Sequence, residues 1–79
     1  MDIKVDQLWQ CGDFRAVVLE VKNESVKVRY NKRNFAGDVT AWYYVDDLLY
    51  RWQLLGKAKV FEVAGHKCVE FVVDEKVGV

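Results

Sequence analysis

Residues 14–49 read FRAVVLEVKNESVKVRYNKRNFAGDVTAWYYVDDLL. Within them, residues 25–31 (SVKVRYN) put Val26, Val28 and Tyr30 on one side and Ser25, Lys27, Arg29 and Asn31 on the other. That strict period of two is the pattern of a half-buried β-strand. Residues 15–22 (RAVVLEVK) predict its partner, with Val17, Leu19 and Val21 facing the core. A two-residue turn at Asn23 and Glu24 pairs Val21 with Val26, Leu19 with Val28 and Val17 with Tyr30. The same register sets Glu20 opposite Lys27, a favourable cross-strand pair, and a one-residue slip would turn the apolar set to water.

Outward from this hairpin, residues 31–38 (NKRNFAGD) form a polar loop with one aromatic, Phe35. Residues 39–45 (VTAWYYV) predict a third strand with aromatics on both faces. Asp46 and Asp47, followed by Leu48, Leu49 and Trp52, suggest an acidic N-cap and a short helical turn that plugs one end of the fold. Residues 57–74 predict a second hairpin. A three-residue loop at Gly65, His66 and Lys67 pairs Val63 with Val69, Phe61 with Phe71 and Lys59 with Val73, and sets Glu62 opposite Glu70. Gly56 is the expected pivot between the two units. The chain therefore reads as all-β: a small bent barrel of five or so strands, an added C-terminal hairpin and one short helical turn. It forms one domain over 1–79, with the barrel unit over about 5–55 and the hairpin over 57–75.

The totals agree with a single small core. A chain of this length buries only about 60% of its unfolded surface. Its 52% apolar residues, three Trp among them, supply enough apolar area to fold without metal or disulfide. Proline, which interrupts strand ladders, is absent. Twelve basic and twelve acidic residues give no net charge, unlike a protein whose whole surface coats nucleic acid. Cys11 and Cys68 read as reduced thiols, and the polar start of the chain is no export signal, so a cytoplasmic, soluble protein without membrane contact is expected.

Catalytic chemistry has little to stand on. His66 is the one histidine and sits in a predicted turn. No phosphate cradle or nucleophile elbow is present. Cys11, His66 and Cys68 are too few and too scattered for a structural zinc site. The expectation is a non-enzyme without metal or cofactor.

The residues that carry binding chemistry are aromatic and basic. Trp9, Phe14, Tyr30 and Phe35, with Asp38 close by in sequence, belong to segments that converge at one rim of a small barrel. Aromatic faces gathered there can hold a ligand, or the same rings can fill the core. Trp42 and Tyr44 form a second aromatic face, open to use as core, partner surface or base-stacking platform. Lys27, Arg29, Lys32 and Arg33 fall within seven residues that contain no acid. They suit contact with phosphates or an acidic partner, or form a solvated edge.

The run of Trp9, Phe14, Ala16, Val17, Val26, Val28 and Tyr30, then Gly37, Asp38, Val45, Asp47, Leu48 and Leu49, resembles a Tudor-type domain of the SH3-like barrel class. The resemblance covers about residues 5–50. It implies a barrel whose aromatic cage, from Trp9, Phe14, Tyr30 and Phe35 with Asp38 or Asn31 as polar member, takes methylated Lys or Arg; other members bind nucleic acid or unmodified protein. The loop 31–38 is longer and more basic than the usual one, and Lys32 and Arg33 would repel a cationic ligand. A protein or peptide is the leading partner class. Nucleic acid, through the stretch from Lys27 to Arg33, is the alternative. A third reading is a compact interaction or inhibitor protein, monomeric or paired with a second copy through its C-terminal hairpin.

Overall fold

The computed structural model describes residues 2–76. Six antiparallel strands, β1 (Gln7–Cys11), β2 (Phe14–Lys22), β3 (Ser25–Tyr30), β4 (Thr40–Tyr44), β5 (Gln53–Val63) and β6 (His66–Val73), are joined in the order β4-β3-β2-β1-β5-β6. One short helix, α1 (Val45–Arg51), links β4 to β5. The chain is mostly strand, as expected, and its sheet does not close: β4 and β6 are its edges among the described residues.

The β2–β3 hairpin forms as the alternation requires near its turn, with Val21 opposite Val26 and Glu20 opposite Lys27. Asn23 takes the left-handed conformation, φ 50°, that asparagine tolerates better than most residues. Further along, the expected pairing is corrected. A bulge leaves Leu19 unpaired, so Val28 faces Val18 and Tyr30 faces Ala16. One extra residue on one strand reverses the faces beyond it. Ala16 and Val18 therefore join Val26, Val28 and Tyr30, and Val17 points to the opposite side.

The sheet has two buried faces, and the reversal sets which β2 residues each receives. On the first, Trp9, Ala16, Val18, Val26, Val28 and Tyr30 pack under Leu48 of α1. On the second, Leu8, Val17 and Ala58 are covered by Val69, Phe71 and Val73 of β6. The C-terminal hairpin is thus a lid on a second core. Two contacts tie it down: Lys67 Nζ pairs with Asp6 at 2.7 Å, and Arg15 Nη1 donates to the Phe71 carbonyl at 2.8 Å.

Strand β5 runs unbroken through the expected boundary at Gly56. Its first half bonds to β1 and its second half to β6. Gly56 is needed there for contact: a Cβ would lie 3.0 Å from Val73 Cγ1, and its φ of 152° suits glycine. The second hairpin turns at Ala64 and Gly65, both with positive φ, a two-residue turn that starts one residue before the three-residue loop assumed. Glu62 consequently faces Lys67 and Lys59 faces Glu70, and the expected Glu62–Glu70 opposition disappears. Opposite charges across a sheet stabilise where like charges would not. Asp46 and Asp47 occupy the first turn of α1 and do not cap it, since the N-cap residue is Tyr44. No helix among the described residues is long and apolar enough to cross a membrane.

Candidate functional site

At one end of the first core the sheet runs out of aliphatic cover and aromatic rings take over. Phe14 opens β2 opposite Cys11, and Tyr30 closes β3. Tyr43 lies across from Val26 on β4. Trp52 is the single residue between α1 and β5, held by its N–H donating to the Leu48 carbonyl at 2.9 Å. Tyr30 is the hub. Its ring stacks on Trp52 at 6.1 Å between centroids and meets Phe14 and Tyr43 edge-on at 5.5 and 6.4 Å. Tyr43 and Trp52 are 6.0 Å apart. Such separations fall in the range of favourable ring pairing.

These rings, with Cys11, Asn34, Phe35, Ala36 and Arg51, line an open cleft of about 470 Å³. That is room for one or two side chains of a ligand. The Tyr30 and Tyr43 hydroxyls hydrogen-bond to each other. Burial, followed by the Tyr43 hydroxyl, pushes the Tyr30 phenol well above its ordinary value. The neutral form is favoured by folding, so this contribution to stability is complete below the unfolded tyrosine pKa of about 10 and declines above it.

The loop 31–38 is built around Asn34. Its Oδ1 accepts from the Ala36 and Asp38 amides at 3.0 and 2.9 Å, and its own amide donates to the Asp38 carbonyl at 2.8 Å. Arg33 Nη1 closes the loop on the Gly37 carbonyl at 2.8 Å. These bonds hold Phe35 at the cleft mouth with its ring fully in solvent.

The aromatic set read from the sequence is therefore only partly brought together. Phe14, Tyr30 and Phe35 share the cleft. Trp9 does not: it is 2% exposed in the middle of the sheet, between Ala16 and Leu54. Asp38 closes the loop through its backbone, and its side chain does not line the cleft. Asn31 accepts from the Arg15 amide at 3.1 Å, fixing a strand end. Tyr43 and Trp52 are the members that sequence reasoning passed over. Strand alternation places Tyr43 opposite in face to Trp42 and Tyr44, but Trp52 reaches the site only through the helix turn.

The basic stretch is also divided. Lys32 Nζ sits 4.8 Å above the Phe14 ring, at the cleft. Lys27 and Arg29 are on the outer face of β3, opposite Trp42 and Thr40 of β4. There Trp42 and Tyr44 are about half or more exposed, with Lys22 Nζ 5.6 Å from the Trp42 ring. A wider groove of about 670 Å³ follows the β5–β6 hairpin, with charges of both signs from Lys59, Glu70, Asp74 and Glu75. Among the described residues no three His, Cys, Asp or Glu side chains gather as metal ligands would. Comparison of the chain with models of protein families, with curated proteins and with solved structures gives no match.

Proposed function

We propose that this domain is a non-catalytic binding module, SH3-like or Tudor-like in kind, that recognises a protein or peptide at the aromatic cleft. One observation carries it. Three rings converge on Tyr30, and the fully exposed Phe35 stands at the mouth on a loop ordered by its own hydrogen bonds. Aromatic anchors of this sort dominate the energetics of peptide recognition.

Phe35→Ala tests the site without disturbing the core. Removal of an exposed contact ring is expected to weaken a cleft-binding peptide by about tenfold, roughly 1.4 kcal/mol. The midpoint of urea unfolding should stay where it is, because Phe35 buries nothing in the free protein. Titration followed by calorimetry measures the first quantity. An unchanged affinity would move the site elsewhere.

Nucleic acid is a second reading, favoured by Trp42 and Tyr44 exposed on the outer face beside Lys22, Lys27 and Arg29. Rings for stacking and cations for phosphates are what a single strand needs. Retention on immobilised single-stranded DNA at low salt is expected to vanish in the double variant Lys27→Glu, Arg29→Glu and to survive Lys32→Glu. Absence of retention by the unaltered protein removes this reading.

A further inference from the structure

The charged side chains that line the cleft or lie over its rings are basic. Arg51, in the last turn of α1, contributes to its wall, and the Lys32 ammonium lies over the Phe14 ring. Among the described residues, no Asp or Glu lines it. The remaining polar groups are neutral: the Asn34 amide and the paired hydroxyls of Tyr30 and Tyr43.

We propose, building on the reading of the cleft as a peptide site, that its ligand is an acidic peptide: an apolar side chain on the rings, with a neighbouring carboxylate held by Lys32 and Arg51. Three features converge on this class. A cage for a methylated lysine works because bare aromatic faces meet a cation in the absence of competing positive charge. Here the Phe14 face is already occupied by a cation of the same chain, and Arg51 adds a second positive charge at the wall. Any cationic guest would have to displace Lys32 and then sit beside it. For an anionic guest the same two residues are assets, since charge-assisted bonds to carboxylate are stronger than neutral ones and arginine offers a planar fork of donors. The rings supply apolar contact in either case, so charge decides between the classes.

Lys32 then has two roles in sequence. Without ligand, its ammonium and stem cover part of the aromatic surface at the cleft. With ligand, it leaves the Phe14 face for the carboxylate, and the uncovered ring takes the apolar side chain. No bond is made or broken in the exchange.

The test uses the full chain and two acetylated, amidated pentapeptides of sequence Gly-Phe-Xaa-Phe-Gly, with Xaa either glutamate or trimethyllysine. Binding is read from the Trp52 indole resonance, identified by its loss in Trp52→Phe. The glutamate peptide is expected to bind at least tenfold more tightly than the trimethyllysine peptide. Its affinity should fall several-fold between 50 and 500 mM salt, following the screening of charged contacts. Lys32→Gln and Arg51→Gln should each weaken it about five- to tenfold, and Lys32→Glu should narrow or reverse the preference. Preference for trimethyllysine in the unaltered protein, or Lys32→Gln binding the acidic peptide as well as before, overturns the charge assignment and leaves the cleft standing as a peptide site. Failure of both peptides to shift the Trp52 resonance overturns the cleft reading itself.

Discussion

Trp9→Ala is expected to destabilise the domain by about 3–5 kcal/mol, the usual cost of emptying a large aromatic site in a packed core. Trp9 is 2% exposed and central to the first cluster, flanked by Ala16 and Val18 and capped by Leu48. A small domain has roughly 0.05–0.15 kcal/mol of stability per residue, so this one change consumes a large share of the total. Chemical denaturation would read it as a low-denaturant midpoint, or as no native baseline at all. Trp9→Phe is the informative companion. The indole Nε1 is buried with no hydrogen-bond partner, a group that costs energy to desolvate. Phenylalanine removes that group while keeping most of the ring, so its cost should be far smaller, about 1 kcal/mol. Were Trp9 a ligand-facing ring, alanine would instead weaken binding and spare stability.

Truncation after Gly56 is expected to abolish the native fold. The C-terminal hairpin is no accessory to a complete unit: Leu8 and Val17 are each 0% exposed, and Val69, Phe71 and Val73 of β6 pack over them together with Leu55. Uncovering two such aliphatic side chains forfeits about 1.5–3 kcal/mol apiece. Strand β1 would also lose the partner of Gln7, since that residue pairs with Lys57. The sum approaches the whole stability of a domain this size. The truncated chain should show collapsed amide dispersion in a two-dimensional NMR spectrum and no cooperative thermal transition. A well-dispersed spectrum would establish the first core as self-sufficient. A milder cut at the same seam, Gly56→Val, should destabilise in the same direction, because the new side chain would meet Val73 and the backbone has positive φ.

The two predictions share a cause: the sheet has two buried faces, and the bulge at Leu19 decides which β2 residues each face receives. Its consequences separate what could be read in advance from what could not. Near the turn, Val21 and Val26 pair as the alternation dictates, because a short hairpin is a local object. Past the bulge, Val17 and Ala16 exchange sides, and a residue read as core for one face becomes core for the other. The second hairpin behaves similarly. Its strands are legible from their apolar content, but its register hangs on whether Ala64 or only Gly65 adopts positive φ. Alanine gives no advance sign of doing so. The resulting alignment of Glu62 with Lys67 and Lys59 with Glu70 would have been the better choice on charge alone.

The cleft divides along the same line. Phe14, Tyr30 and Phe35 could be picked out because each stands at a strand end or loop tip. Trp9 was indistinguishable from them in sequence and went inside, since it sits in the middle of β1 between Ala16 and Leu54, whereas Phe14 and Tyr30 stand at strand ends. Trp52 came from more than twenty positions beyond Tyr30, the ring on which it stacks. Local alternation, turn residues and composition were enough to determine that this chain is mostly strand, that 15–30 is a hairpin and that an aromatic loop follows it. Which aromatics fill the core, which of the four cations faces the rings, and that the final hairpin closes a second core were decided by tertiary structure. The physical reason is range: periodicity acts between neighbours in the chain, whereas a bulge, a helix turn and a strand folding back over the sheet set contacts between residues that the sequence holds far apart.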